Sequence, residues 1–234
     1  MLLAPLGFLL LAATPADLVS RTDVFAAAPA SFVSRIAVSD PTGKRPAVKL
    51  EVFRSGEDLA LLRLLEPKEK GKFFLRRGRD LYFLAPGSAR ALKLDPGHRL
   101  AGAVSFDEIL GLRLGRDYRV VQRDEPVAGG SVTFHLEASA PTAPYPRVRW
   151  VVDPKKTLPL RADLAFADGR AARVVEFVTW RDAKRLRPQR LRVVDILRGG
   201  AVEVEFETFD EKPLPAGLFS LEDGTERGKL AGPG

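Results

Sequence analysis

Apolar and polar side chains alternate along most of this chain, most clearly over residues 146–166, PRVRWVVDPKKTLPLRADLAF. Val148, Trp150 and Val152 share one face there, and Arg147, Arg149 and Val151 share the other, the period of two that a strand requires. Asp153-Pro154-Lys155-Lys156 supplies a reversal. Pro presets the first central dihedral of a type I turn, and the Asp carboxylate accepts a bond from the turn backbone. The chain returns with Leu158, Leu160, Ala162, Leu164 and Phe166 on one face against Pro159, Arg161 and Asp163. The result is a hairpin with one apolar side and one wet side.

The same rhythm runs through the rest. Phe32, Ser34, Ile36 and Val38 alternate with Val33, Arg35, Ala37 and Ser39, and Val48, Leu50 and Val52 follow the turn at Pro41-Thr42-Gly43. Leu59 to Leu65 is apolar on both sides, the mark of a strand more buried than its neighbours. Phe73-Phe74-Leu75, Asp80–Leu84 and a short run at Ala91–Leu94 complete the first half. In the second half, strands are predicted at Tyr118–Arg123, Val132–Ala138, Arg173–Arg181, Arg190–Val193 and Val202–Phe206. The inward side of Arg173–Arg181 is ambiguous, because Val175 and Phe177 oppose Val174, Val178 and Trp180. Asp168-Gly169 suits a hairpin turn needing positive φ. Arg190 and Arg192 can pair with Glu203, Glu205 and Glu207 across the wet face. Two stretches break the rhythm. Residues 16–27 predict a short helix closed by Pro29, and Phe106–Leu112 a helix or coiled loop with Ser105 as N-cap and Asp107 and Glu108 in its first turn. From Gly224 the chain reads as a loose polar tail.

About 11 strands joined by hairpin-length connections imply a mainly β protein built on one large antiparallel sheet. A flat sheet of that size, apolar on one face, is unstable in water, so it must curl into an incomplete barrel or split into a sandwich. Only short helices remain to cover the concave face, which leaves room for a cavity. Its candidate lining is Phe32, Ile36, Leu50, Val52, Leu62, Phe134, Leu136, Val148, Trp150, Leu160, Leu164, Phe166, Val204 and Phe206.

The chain has 234 residues, 45% of them apolar, enough for one substantial core. Leu2 to Ala13 is an uncharged apolar run ending in small residues, the shape of a secretory signal peptide cleaved after Ala13 or Ala16. It is too short for a bilayer that needs ~20 residues. The expected organisation is therefore a signal peptide over 1–16, one domain over 17–222 and a tail over 223–234. With no cysteine, thiol catalysis, thiolate metal sites and lipidation at an N-terminal cysteine are excluded.

The order of several motifs carries a family resemblance. Leu65-Glu66-Pro67-Lys68-Glu69-Lys70-Gly71-Lys72, Asp80-Leu81-Tyr82-Phe83-Leu84 before Pro86, and Arg99-Leu100-Ala101-Gly102 form its first half. Trp150-Val151-Val152-Asp153, Leu158-Pro159-Leu160-Arg161, Leu186-Arg187-Pro188, Asp195 and Leu214-Pro215-Ala216-Gly217-Leu218-Phe219 form its second. Together they resemble the LolA-like outer-membrane lipoprotein-sorting proteins of Gram-negative bacteria. The resemblance implies a periplasmic half-barrel whose apolar face carries the acyl chains of a lipoprotein or other lipid, monomeric, passing between an inner-membrane transporter and an outer-membrane acceptor. It implies no cofactor and no catalysis.

Two other readings stand beside it: a periplasmic module that senses lipid or lipoprotein, and an exported enzyme with a dispersed site around His98 or His135. The two histidines lie far apart in sequence, no G-x-S-x-G elbow or metal-ligand cluster is present, and Gly224–Leu230 is too short for a phosphate loop. The basic clusters Lys68–Arg79 and Lys184–Arg187 lack exposed aromatics, so nucleic acid is not the expected partner. A solvated outer face or an anionic membrane surface suits them better.

Overall fold

The computed structural model describes residues 14–231 except 45, 87, 89, 96, 97, 102, 103, 106–111, 127–129 and 142. Strands β1 (Ser31–Ser39), β2 (Val48–Ser55), β3 (Leu59–Leu64), β4 (Phe73–Arg77), β5 (Asp80–Leu84) and β6 (Leu92–Leu94) form one antiparallel meander. Strands β7 (Arg99–Ala101) and β8 (Val104–Ser105) pair apart as a small ribbon. A second meander comprises β9 (Tyr118–Arg123), β10 (Val132–Ala138), β11 (Arg147–Asp153), β12 (Leu158–Ala165), β13 (Ala171–Asp182), β14 (Arg187–Asp195) and β15 (Ala201–Phe206). Strand β15 pairs with β1 in the register Ile36 to Phe206 and Val38 to Val204, and the short β16 (Asp210–Glu211) extends that contact. The protein is thus mainly β, one antiparallel sheet of 14 strands not closed into a barrel.

The sheet is strongly curled. Helix α2 (Leu114–Asp117) leads straight into edge strand β9, yet Arg113 and Arg116 just there bond Asp58 and Glu57 in the β2–β3 turn. In a flat sheet those two places would lie roughly 40 Å apart, at about 4.8 Å per strand. Curling gathers the inner-facing side chains of both meanders into one buried cluster, completed by Val19 of helix α1 (Pro15–Arg21), Leu112 and Leu114.

The first meander also has an apolar outer face. Val33, Phe53, Leu61, Phe73, Leu75 and Leu84 are covered there by Leu218 and Phe219 of a 3-10 turn (Ala216–Phe219). This explains the two-sided apolar reading of β3: Leu62 packs inward and Leu61 outward, both fully buried. The stretch from Gly224, read from sequence as a loose tail, contains helix α3 (Thr225–Ala231), whose Leu230 packs against the same outer cluster. Arg227 anchors it through the carbonyls of Leu218 and Ser220. The outer face of the second meander is wet, laced by pairs such as Arg119–Glu137 and Arg149–Asp163, with Arg190 reaching Glu203 at 4.0 Å.

Two local expectations change, and a third lies outside the described residues. Helix α1 stops at Arg21 rather than running to residue 27, because the Thr22 hydroxyl donates back to the Leu18 carbonyl and Asp23 accepts from the amides of Phe25 and Ala26. Such local bonds offer the backbone an alternative to another helical turn. The predicted helix at Phe106–Leu112 falls, over 106–111, outside the described residues. Leu160 points outward, 40% exposed, although Leu164 on the same strand is fully buried. A bulge lets Val151 face Arg161 while Val152 faces Pro159, so Leu160 is the extra residue and the alternation slips past it.

That bulge yields a stability test. Leu164→Ala should cost about 2–5 kcal/mol and Leu160→Ala under about 0.5 kcal/mol in urea unfolding. Equal costs would contradict the slipped register.

Candidate functional site

One end of the curled sheet is plugged by α1, the segment 22–29 and α2. Thr14 starts α1 with a capping box, its hydroxyl oxygen accepting from the Asp17 amide while the Asp17 carboxylate accepts from the Thr14 amide. At the other end of α1, Trp150 Nε1–H of β11 donates to Thr22 Oγ1 at 2.9 Å. This joins the helix terminus to the floor of the inner face. Helices α1 and α2 touch closely: a side chain on Gly115 would come within 2.9 Å of Ser20 Oγ.

Asp23 ties the two together. Its Oδ1 accepts from the Phe25 and Ala26 amides, and its Oδ2 accepts from the Gly115 amide at 3.2 Å. The carboxyl is buried, and that desolvation pushes its pKa above the usual carboxylate value despite these bonds. Arg54 of β2 clasps the segment from the opposite side, its Nη2 donating to the Phe25 carbonyl at 3.2 Å. Arg113 is almost wholly buried and bonds the Asp58 carboxylate and the Glu57 carbonyl. The plug is therefore held by a few polar contacts at its edges and by apolar packing beneath.

Between segment 22–29 and the sheet lies a narrow apolar pocket of about 40 Å³. Val24, Phe25 and Ala28 form one wall; Phe32, Phe177, Leu191, Phe206 and Phe209 form the others, with Arg54, Leu186, Arg187 and Pro188 completing it. The aromatic walls interlock: Phe32 stacks on Phe209 at 4.5 Å, and Phe177 stands edge-on to Trp150 at 5.6 Å. The Arg187 guanidinium lies over the Phe209 ring at 4.6 Å. A void lined this way accepts hydrocarbon in preference to water. In its present state it admits no more than a few methylene-sized groups.

The sequence-predicted lining residues divide into three sets. Phe32 and Phe206 line this pocket. Ile36, Leu50, Val52, Leu62, Phe134, Leu136, Val148, Trp150, Leu164 and Val204 lie on the same inner face but are packed solid, at most 2% exposed, so they make the floor and not an open wall. Leu160 and Phe166 belong to neither: the first faces outward, and the second lies past the end of β12, beneath the Arg170 guanidinium in the hairpin turn. Phe177, Leu191, Phe209 and the residues of segment 22–29 were missed. Phe177 sits where bulges in β13 blur the alternation, and Phe209 stands alone between strands, so neither carries a periodic signal. The two histidines lie apart from the pocket. His135 meets the Asp124 carboxylate at 2.9 Å, and His98 stacks on Phe74 at 6.2 Å.

A half-open antiparallel sheet plugged by short helices defines the LolA-like class of fold. Residues 56–223 match the model of a family described as "Uncharacterized protein", and the chain belongs to that family. Among solved structures, a LolA superfamily protein from Nitrosomonas europaea is 21% identical, with a TM-score of 0.75 over 89% of this chain and 98% of that one. A DUF1329 family protein from Desulfovibrio piger is 17% identical, with a TM-score of 0.67 over 88% of this chain and 95% of the other. A putative outer membrane lipoprotein-sorting protein domain from Vibrio parahaemolyticus is 13% identical, with a TM-score of 0.63 over 86% and 91%. At these identities the likeness shows the fold. No functionally curated protein matches the chain.

The Asp23 clasp makes a pH-dependent prediction. Asp23→Asn removes the acceptor for Gly115 and should cost about 1 kcal/mol. Because burial raises the Asp23 pKa, the folded protein holds this proton more tightly than the unfolded chain does. Its contribution is complete below the unfolded carboxylate pKa and is lost as the pH rises through the raised one. The melting-temperature advantage of the wild type over Asp23→Asn should therefore shrink as the pH rises above the usual carboxylate pKa of 3.8. An advantage that grows as the pH rises contradicts it.

Proposed function

We propose that this protein is an exported carrier that shields the acyl chains of a lipoprotein or another lipid, in the manner its fold relatives' names suggest for outer-membrane lipoprotein sorting. In this reading a signal peptide is cleaved after Ala13, the chain from Thr14 through α3 forms the carrier domain, and the protein works in the periplasm between an inner-membrane donor and an outer-membrane acceptor. The observation that carries the proposal is the aromatic pocket on the inner face, roofed by a segment held at its edges by a few polar contacts. Among the described residues no helix is long and apolar enough to cross a membrane.

The energetics favour exchange over a permanent void. Each buried methylene is worth ~0.8 kcal/mol, so about ten of them supply roughly 8 kcal/mol. Lifting the segment breaks hydrogen bonds whose net worth is about 0.5–1.5 kcal/mol each. The apolar side chains that leave the floor are covered again by the guest. The gross gain of about 8 kcal/mol corresponds to roughly 1 μM, and the cost of lifting the segment makes binding weaker than that. A closed empty state also helps release, because the plug reclaims the pocket once an acceptor draws the lipid away.

Native mass spectrometry of the mature protein purified from its own cell envelope tests the reading. The expected result is co-purified lipid or acylated peptide, with Ala28→Trp, which fills the pocket from the roof, carrying at least about tenfold less. Protein that is always empty, and that takes up no lipid from vesicles, overturns the proposal.

A further inference from the structure

A broad basic groove opens beside the aromatic pocket. Arg21 at the end of α1, Lys156 in the β11–β12 turn, and Lys184, Arg185 and Arg187 in the β13–β14 turn line it, in a space of about 690 Å³. Against these five cations the lining holds a single carboxylate, Glu211. Behind it Asp153 lies 3.7 Å from Lys156 and Asp182 3.8 Å from Arg185, so that Arg21 and Lys184 carry most of the surplus. Glu211 is paired with Arg187, and it lies 3.7 Å from Arg185, beyond hydrogen-bond length. Lys184 is exposed and has no ion-pair partner among the described residues, and the Arg187 Nε is buried without a hydrogen-bond partner.

Two features connect the groove to the pocket. Leu186 and Arg187 line both, so a molecule leaving the pocket past these residues meets the cations directly. The turns that present the cations are also fixed. Asp153 Oδ1 accepts from the amides of Lys155 and Lys156, and Asp182 Oδ1 accepts from the amide of Arg185. Each turn then passes through a non-glycine residue in the left-handed region, Thr157 at φ 54° and Leu186 at φ 51°. Such residues are uncommon there, and bulky or β-branched ones especially so.

Resting on the carrier reading above, we propose that the ligand is an anionic amphiphile: its hydrocarbon enters the Phe25–Phe177–Phe209 pocket while its phosphate or carboxylate head sits among Arg21, Lys156, Lys184 and Arg185. An apolar pocket alone does not discriminate between lipids, since every acyl chain partitions into it alike. The adjoining cations do, because a charged head adds charge-assisted hydrogen bonds that a zwitterionic head satisfies less well. A net surplus of cations at the end of an otherwise well-paired outer face is what such a head requires.

The test uses the mature wild type, Lys184→Glu/Arg185→Glu and Ala28→Trp. Each is incubated with vesicles of phosphatidylglycerol or of phosphatidylcholine and separated by flotation. Lipid in the protein fraction is then quantified, and circular dichroism verifies the fold. Wild type should take up phosphatidylglycerol at least about tenfold more than phosphatidylcholine. The double charge reversal should abolish that preference, and Ala28→Trp should lower uptake of both lipids. Inorganic phosphate should compete only weakly. Equal uptake of the two lipids, or a preference that survives the charge reversal, overturns the headgroup assignment and leaves the carrier reading standing. Uptake of neither lipid overturns both. Co-flotation with phosphatidylglycerol vesicles without extracted lipid, or full competition by phosphate, makes the groove a membrane-docking or free-anion site and overturns the proposal as well.

Discussion

An antiparallel sheet of 14 strands that is apolar along one whole face has to cover that face, and the rest of this structure follows from how it does so. Curling removes much of the surface from water, since it lets β1 to β5 and β9 to β15 share one cluster. It does not close the ends. One end is closed by two short helices and the segment between α1 and β1, through Trp150 to Thr22, Asp23 to Gly115, and Arg54 to the Phe25 carbonyl. A long amphipathic helix would bury this end for good. Two helices of seven and four residues, stitched by a few side-chain bonds, make a thinner cover.

The outer face shows the contrast. Over the first meander the chain spends its C-terminal 3-10 turn and α3 to bury a second cluster, so β3 is sealed on both sides. Over the second meander the outside is left to ion pairs, each worth about 0–1 kcal/mol on an exposed surface. The protein is thus covered on both faces over the first meander and only thinly where segment 22–29 lies against β13 to β15. The aromatic pocket and the basic groove both occur at that thinly covered end, sharing Leu186 and Arg187.

Strand alternation in the sequence was enough to find the sheet, because a period of two survives wherever one face is dry and the other wet. Trp150, Val148 and Val152 read correctly for that reason, and the Asp153 turn forms with the carboxylate bonds expected of it. Alternation fails at bulges. Leu160 reads inward by alternation and stands outward because one extra residue shifts the frame, and Phe177 stays ambiguous because β13 carries several irregularities. The deeper limit concerns the site. Periodicity shows which side chains face inward, but not which of them the chain's own helices fill. Hence most predicted lining residues proved to be packed floor, while the open space gathers around Phe25 and Phe209, which lie outside any strand. The Lys184–Arg187 cluster looked like ordinary solvated charge, because its neighbours across the fold, Arg21 and Lys156, are distant in sequence.

The account stands or falls on where a hydrocarbon chain goes. A fatty acid or phospholipid bearing a photoactivatable diazirine near its chain end, cross-linked to the mature protein and mapped by peptide mass spectrometry, locates it directly. The predicted adducts fall on Phe25, Phe177, Leu191 and Phe209, and are suppressed by excess unlabelled lipid. Adducts confined to the outer face, or none that unlabelled lipid displaces, would contradict the account.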